Sequence, residues 1–157
     1  MKYEELLENL QKVLDELQEE NDITPVIVEG EKDAASLRNI GLEGKILTLN
    51  SGLSLFNFCE QVSREHGKAI ILTDWDVRGG RICRRLQEGL EANGVKPNLE
   101  YRQRIAILCR KDVKDVEGLA NYLSTLERWT KAQRREGATK RTKESLKRAK
   151  LKRARRK

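Results

Sequence analysis

The sequence predicts an α/β fold in which a parallel sheet of about four strands is flanked by helices. A continuous apolar run at residues 69–72 suits a strand that is buried on both faces of a parallel sheet. A second β-rich run, residues 25–28, also leads directly into acidic residues and a glycine. Strand-like and helix-like segments alternate between and after these runs, which is the rhythm of βαβ units.

The charge distribution divides the chain into a domain and a tail. Residues 131–157 carry fourteen Lys and Arg against two acids, a net charge of +12, whereas residues 1–130 carry a net charge of −5. A length of 157 residues fits one domain with appendages. We therefore expect an amphipathic helix over residues 1–22 that packs on the core, an α/β domain over residues 23–130, and a basic tail over residues 131–157 that is disordered or a solvated helix.

The first helix is predicted from apolar residues at helical spacing over residues 2–20. They are Tyr3, Leu6, Leu7, Leu10, Val13, Leu14 and Leu17. Packing of this stripe on the sheet is the first interpretation, and a partner-binding or dimerising helix is the alternative.

Two helices and one strand are predicted in the next forty residues. Residues 32–40 form a helix whose inward face consists of Ala34, Ala35, Leu37 and Ile40. Residues 45–49 form a strand. Residues 54–65 form a helix whose buried stripe consists of Leu55, Phe56, Cys59 and Val62.

A further amphipathic helix is predicted beyond Gly80, after two glycines that let the backbone turn closely. Its first turns hold four arginines, Arg78, Arg81, Arg84 and Arg85. Cations there oppose the helix dipole, so they bind either nearby acids or phosphates, unless they form a solvated face. Residues 98–109 are ambiguous between helix and strand, and residues 117–130 form a last helix that packs back.

Two strand ends carry the candidate site residues. Asp74 and Asp76 follow the run at residues 69–72, and Glu29 follows the run at residues 25–28. Alternation with period two would place both aspartates on one side, and parallel strands bring their carboxyl ends to one edge. Converging carboxylates favour Mg²⁺ or Mn²⁺, although solvated turn residues are the simpler interpretation of an Asp-x-Asp pair. Asp33 either binds the metal or complements a helix N-terminus.

These stretches resemble the Toprim family, which is shared by topoisomerases, bacterial primases, recombination mediators and small nucleases. VIVEGEKD at residues 26–33 and TDWDVRGG at residues 73–80 carry the resemblance, which covers residues 25–119. It is nearest to small stand-alone archaeal Toprim proteins and to the ribonuclease that matures 5S ribosomal RNA. Where many members have a further acidic loop, this chain has KDVKDVEGL at residues 111–119. Its acids, Asp112, Asp115 and Glu117, either assist a second metal ion or are solvated.

The resemblance implies a Mg²⁺- or Mn²⁺-dependent nuclease or other phosphoryl-transfer enzyme. The expected catalytic residues are Glu29, Asp74 and Asp76, with Asp33 as a further metal ligand, and a binding protein without catalysis is the alternative. The expected partner is nucleic acid, RNA rather than DNA, with ribosomal RNA or the ribosome as a candidate. The expected contacts are Lys32, Arg78, Arg81, Lys140, Arg141, Lys147, Arg148, Lys152, Arg153, Arg155 and Arg156.

Several other classes of protein fit the sequence less well. Cys59, Cys83 and Cys109 form no Cys-x-x-Cys pair, so reduced thiols are expected rather than disulfides or zinc. No P-loop spacing occurs, and no apolar stretch has the length of a membrane span. The tail lacks a bulky apolar stripe, which favours nucleic acid over an anionic membrane. We expect a soluble, cytoplasmic protein.

Overall fold

The computed structural model describes residues 2–156 of the chain, in which six helices alternate with four strands. The helices are α1 (Tyr3–Asn21), α2 (Glu31–Ile40), α3 (Leu55–Glu65), α4 (Val77–Ala92), α5 (Glu100–Cys109) and α6 (Leu119–Arg155). The strands are β1 (Val26–Val28), β2 (Ile46–Thr48), β3 (Lys68–Ile71) and β4 (Lys96–Asn98). Within residues 2–156 no helix combines the length and the apolar character that crossing a bilayer requires.

The four strands form one parallel sheet in the order β2-β1-β3-β4. The connection from β1 leads outward to β2, and the connection from β3 leads outward to β4 in the opposite direction. The crevice between β1 and β3 is therefore the topological switch point of the sheet. The predicted α/β class with a four-stranded parallel sheet is confirmed.

Both faces of the sheet are covered by helices. Val28 and Ile70 belong to a core that also contains side chains of α1, α2, α5 and α6. Ile27 and Ile71 belong to a second core, which is completed by α3 and α4. Successive strand residues thus point to opposite cores, and this double burial explains why the strands read as continuous apolar runs.

The sequence misplaced some boundaries and inward-facing residues. Phe56 is 71% exposed, and Phe58 is buried in its place because it lies on the same face of α3 as Cys59 and Val62. Ala35 is exposed, whereas its neighbour Ser36 is buried. Each residue turns the helix by about 100°, so Phe56 and Ala35 face away from the core although Leu37, Cys59 and Val62 of the same predicted faces are buried.

The structure also fixes where α4 begins and whether residues 98–109 are helix or strand. Helix α4 begins at Val77, before the glycine pair, because the Asp76 side chain caps it by accepting a hydrogen bond from the Gly79 N–H at 2.6 Å. In the ambiguous segment at residues 98–109, Asn98 ends the edge strand β4, and the helix α5 begins two residues later at Glu100.

Helix α6 crosses the expected boundary between domain and tail without a break. Its first three turns bury Leu119, Tyr122 and Leu126 against the core. The ring centroids of Trp129 and Tyr3 lie 4.9 Å apart, which joins α6 to α1. Beyond Thr130 the helix continues to Arg155 with its side chains exposed.

Candidate functional site

The candidate site lies at the carboxyl ends of β1 and β3, at the switch point of the sheet. Glu29 follows β1 directly, and Asp74 lies three residues beyond the end of β3. The backbone N–H of Asp74 donates a hydrogen bond to Glu29 Oε2 at 3.0 Å. The structure therefore brings together two of the acidic residues that the sequence singles out, although they are 45 residues apart in the chain.

The proximity of these acids changes the protonation of Asp74. Burial, the charges of Glu29 and Asp33, and a hydrogen bond to the Glu29 carboxyl together raise the pKa of Asp74 to about 7, with burial as the largest cause. A hydrogen bond that Asp74 Oδ1 accepts from the Val116 N–H at 2.9 Å opposes this rise. The pair thus retains a proton close to neutral pH, and a divalent cation would relieve the same repulsion.

Asp33 lies beside this pair, in the first turn of α2. Its side chain is 8% exposed, and its Oδ2 accepts a hydrogen bond from the Gly30 N–H at 3.1 Å. Burial raises the pKa of Asp33, and the charge of Glu29 contributes to the rise. Glu29, Asp33 and Asp74 each accept a hydrogen bond from a backbone N–H with one carboxylate oxygen.

The other predicted ligand, Asp76, is not grouped with these acids. It is exposed, caps α4 through Gly79, and does not line the cavity that Glu29, Asp33 and Asp74 share. Among residues 2–156 no three Asp, Glu, His or Cys side chains are arranged as a ready metal cage. Mg²⁺, however, usually keeps several waters and is held through one or two carboxylates, so the Glu29–Asp74 pair fits a hydrated Mg²⁺ or Mn²⁺.

The backbone of Asp74 is held by residues that the sequence did not identify. Arg102, on α5, donates hydrogen bonds to the carbonyl oxygens of Thr73 and Asp74, at 3.0 and 2.7 Å. A Cβ at Gly79 would lie 1.9 Å from the same Asp74 carbonyl oxygen, so this position requires glycine. Arg102 and Gly79 thus fix the turn that presents the Asp74 carboxylate.

The loop between α5 and α6 closes over the turn from the other side. Trp75 donates from its backbone N to the Lys114 carbonyl at 3.1 Å and from its indole Nε1 to the Val113 carbonyl at 2.8 Å. Together with the bond from Val116 to Asp74, these contacts attach the loop to the end of β3. The contacts span 38 to 42 residues, and no local pattern in the sequence signals them.

The acids of this loop have separate local roles. Asp112 Oδ2 accepts a hydrogen bond from the Tyr122 hydroxyl at 2.7 Å, and Asp115 Oδ1 accepts one from the Gly118 N–H at 2.8 Å. Glu117 lines the acidic cavity and lies 4.0 Å from the ammonium group of Lys32, where both side chains are exposed. Of the three loop acids, only Glu117 lines the cavity, although the charge of Asp115 also raises the pKa of Asp33.

Cations border the acidic cavity, which has a volume of about 710 Å³. Lys32 and Arg78 line it directly. Arg81, Arg84 and Arg85 follow on α4, and within the described part of the chain neither they nor Arg78 forms an ion pair. Unpaired cations around a carboxylate pair are suited to an anionic ligand that reaches the site through a bound cation.

The C-terminal part of α6 is a second cationic surface. The predicted contacts there are exposed, namely Lys140, Arg141, Lys147, Arg148, Lys152, Arg153, Arg155 and Arg156. Arginines recur every seven residues on one side of the helix, at Arg134, Arg141, Arg148 and Arg155. The first of them contacts Glu4 of α1 at 2.7 Å. The other three are free of ion pairs within residues 2–156 and can contact a polyanion.

Comparison with known proteins agrees with this architecture. Residues 24–108 match the Toprim domain. A UPF0292 protein of Methanosarcina barkeri is 39% identical over 125 residues, which cover 79% of this chain and 87% of that protein. A UPF0292 protein of Methanocaldococcus jannaschii is 31% identical over 79% of this chain and 97% of its own length.

A solved structure of a protein from Aquifex aeolicus shares the fold with a TM-score of 0.58. It is 23% identical in sequence, and the match covers 68% of this chain and 94% of that protein. The matched Toprim segment contains Glu29, Asp33, Asp74 and Asp76, together with the arginines of α4. The chain belongs to the Toprim domain family, whose members generally bind metal and process nucleic acids.

Proposed function

We propose that this protein is a Mg²⁺-dependent nuclease, or a related phosphoryl-transfer enzyme, that acts on RNA. The observation that carries the proposal is the contact between Glu29 and Asp74 at the switch point, beside Arg78, which forms no ion pair with any described residue. A basic helix extends from the same domain and suits a phosphate polymer. Ribosomal RNA precursors are the first substrates to test. DNA is the alternative substrate, since contacts to phosphate do not distinguish the two.

In this proposal Glu29 and Asp74 hold the metal ion, and Asp33 adds negative charge next to them. A bound Mg²⁺ would supply Lewis-acid stabilisation of a phosphate oxygen and lower the pKa of water. A carboxylate beside a divalent cation is ionised, so Glu29 is suited to accept a proton from attacking water rather than to donate one. Lys32, Arg78 and Arg81 would position the phosphate groups.

The role of Asp76 follows from its place at the start of α4. By accepting the Gly79 N–H it stabilises the helix end that carries Arg78 and Arg81. A direct role in catalysis or in metal binding remains a prediction for Asp76. It can be measured by comparing Mn²⁺ affinity in Asp76→Asn and Asp74→Asn by calorimetry.

Catalysis is tested with labelled RNA and DNA, including ribosomal precursors, in the presence and absence of Mg²⁺ or Mn²⁺. Glu29→Gln keeps the size of the side chain and removes its charge, so turnover should fall by about a hundredfold or more. Asp15→Asn, an exposed change on α1, is the control and should cleave at the wild-type rate. Affinity for nucleic acid should change little in either variant, because α6 is untouched.

A binding protein without catalysis is the second candidate. It is favoured by the local bonds of Asp33 and Asp76, each of which accepts a backbone N–H at the start of a helix. Under this alternative, wild-type protein would bind nucleic acid but show no metal-dependent cleavage, nicking or strand transfer on any RNA or DNA.

The basic segment of α6 is proposed to bind phosphates without regard to sequence. Truncation after Thr130 should weaken binding and flatten the slope of affinity against salt, because fewer counterions are released. Replacing both Leu146 and Leu151 by Asn is the matched control, since these side chains are exposed but uncharged. A truncated protein that bound RNA and DNA as tightly as the full chain at every salt concentration would exclude this role.

A further inference from the structure

A small apolar cavity lies next to the acidic cavity. Its volume is about 180 Å³, and it is lined by Leu49, Leu53, Leu55, Phe58, Ile82 and Arg85. Two of these residues, Leu49 and Ile82, also line the acidic cavity. The two cavities therefore lie next to each other and share a wall, and together they are called the trough.

Helix α4 supplies one side of this trough. Arg78, Ile82 and Arg85 are separated by four and then three residues, so they lie on the same face of the helix. Arg78 lines only the acidic end of the trough, Arg85 lines only the apolar end, and Ile82 lines both. Both arginines are exposed, and neither forms an ion pair with any described residue.

The acidic cavity and the apolar cavity lie side by side, as the phosphate and the base do in a nucleotide. The carboxylate pair and Arg78 suit a phosphate held through a cation, whereas the leucines and Phe58 suit a flat apolar ring. Arg85 at the rim offers a guanidinium plane, against which bases stack. A base in a duplex is already stacked and paired, so only an unpaired nucleotide can place its base there.

We propose that the apolar cavity binds the base of an unpaired nucleotide whose phosphate lies at Glu29 and Asp74. This proposal rests on the proposed function, and it makes the protein selective for single-stranded or looped nucleic acid. Leu53 is the entry to the cavity, since it is 42% exposed and also lines the interior.

The test compares two labelled probes by fluorescence anisotropy, with Ca²⁺ in place of Mg²⁺ to prevent cleavage. One probe is oligoadenylate RNA, and the other is a ribose-phosphate chain of the same length without bases. Full-length protein should bind the first about tenfold more tightly, as expected for one stacked base. Contacts of α6 to phosphates contribute equally to both probes and cancel in the ratio.

Leu53→Asn should bring this ratio close to one, because a polar group at the entry disfavours the base without adding charge. Leu53→Ala should lower the ratio in the same direction by removing apolar surface. Phe56→Asn is the matched control, since Phe56 is 71% exposed, lies on the neighbouring helix α3 and lines neither cavity. It should keep the wild-type ratio.

A ratio near one in the wild type, an unchanged ratio in both Leu53 variants, or a loss of the ratio in Phe56→Asn would overturn the base site. Cleavage by wild-type protein with Mg²⁺ is measured in parallel. Cleavage without a base-dependent ratio rejects the base site alone. A base-dependent ratio that requires Leu53, without cleavage, supports the base site and rejects catalysis.

Discussion

Replacing Asp74 by Asn should change how the stability of the metal-free protein depends on pH. Burial and the neighbouring acids raise the pKa of Asp74 from its ordinary value of 3.8 to about 7 in the folded protein. The folded state therefore binds a proton at pH values where the unfolded chain has released it. The contribution of this proton to stability is fully present below pH 3.8 and is lost as the pH rises through about 7.

The size of the effect follows from this difference in pKa. A rise from 3.8 to about 7 corresponds to about 4 kcal/mol of unfolding free energy. Most of this, about 3 kcal/mol, falls between about pH 4.5 and pH 8. The side chain is half-buried, so screening by solvent reduces the expected change to about 1.5 kcal/mol.

Asparagine is suited to this test because it imitates protonated Asp74. Its carbonyl oxygen can accept the bond from the Val116 N–H, and its amide can donate to the Glu29 carboxylate. Urea unfolding of wild type and Asp74→Asn is measured at about pH 4.5 and at about pH 8, in the presence of EDTA. Going from acid to alkaline pH, wild type should lose about 1.5 kcal/mol more than the variant.

Groups other than Asp74 titrate in both proteins, so the difference between the two pH dependences isolates Asp74. The exposed change Asp15→Asn should leave the wild-type pH dependence in place. Equal pH dependence in wild type and Asp74→Asn, or a steeper loss in the variant, would refute the assignment of a retained proton to Asp74.

Two further changes test the support of the Asp74 turn. Arg102→Gln should weaken Mn²⁺ binding about tenfold in calorimetry, because two bonds to backbone carbonyls are lost. Arg104→Gln, which removes a contact with Glu16 of α1 and does not line the acidic cavity, should keep the wild-type affinity. Gly79→Ala should lower the unfolding free energy by about 2 kcal/mol or more, because its Cβ would collide with the Asp74 carbonyl. Gly80→Ala, whose Cβ would meet only a side-chain atom at 3.9 Å, should be far milder in the same urea unfolding experiment, and equal losses would contradict the explanation.

The parts of the fold that local patterns encode could be predicted from the sequence. The apolar run at residues 69–72 predicts a strand buried on both faces, and the structure places its alternate residues in two different cores. The positions of Glu29 and Asp74 follow from the same reasoning, because Glu29 lies directly beyond one central strand and Asp74 three residues beyond the other.

The prediction for Asp76 illustrates where this reasoning stops. Period-two alternation would place Asp76 beside Asp74, but β3 ends at Ile71 and α4 begins at Val77. The intervening residues are not a strand, so alternation no longer applies, and the Asp76 side chain caps α4, while its role in metal binding stays a prediction. Arg102 was missed for another reason, since its bonds to the turn cross 28 and 29 residues and leave no local signal.

The unbroken course of α6 fixes the rotational phase of the basic segment relative to the domain. Residues 131–155 extend for about 38 Å at 1.5 Å per residue. No hinge separates them from the turns that bury Leu126, so each inserted residue would rotate every later arginine by about 100° around the helix axis. An insertion of two residues would turn the row from Arg141 to Arg155 to the opposite side, whereas an insertion of seven would return it almost to its original direction. Under the proposed function, the length of this helix would therefore determine both how far from the acidic cavity a nucleic acid is contacted and on which side.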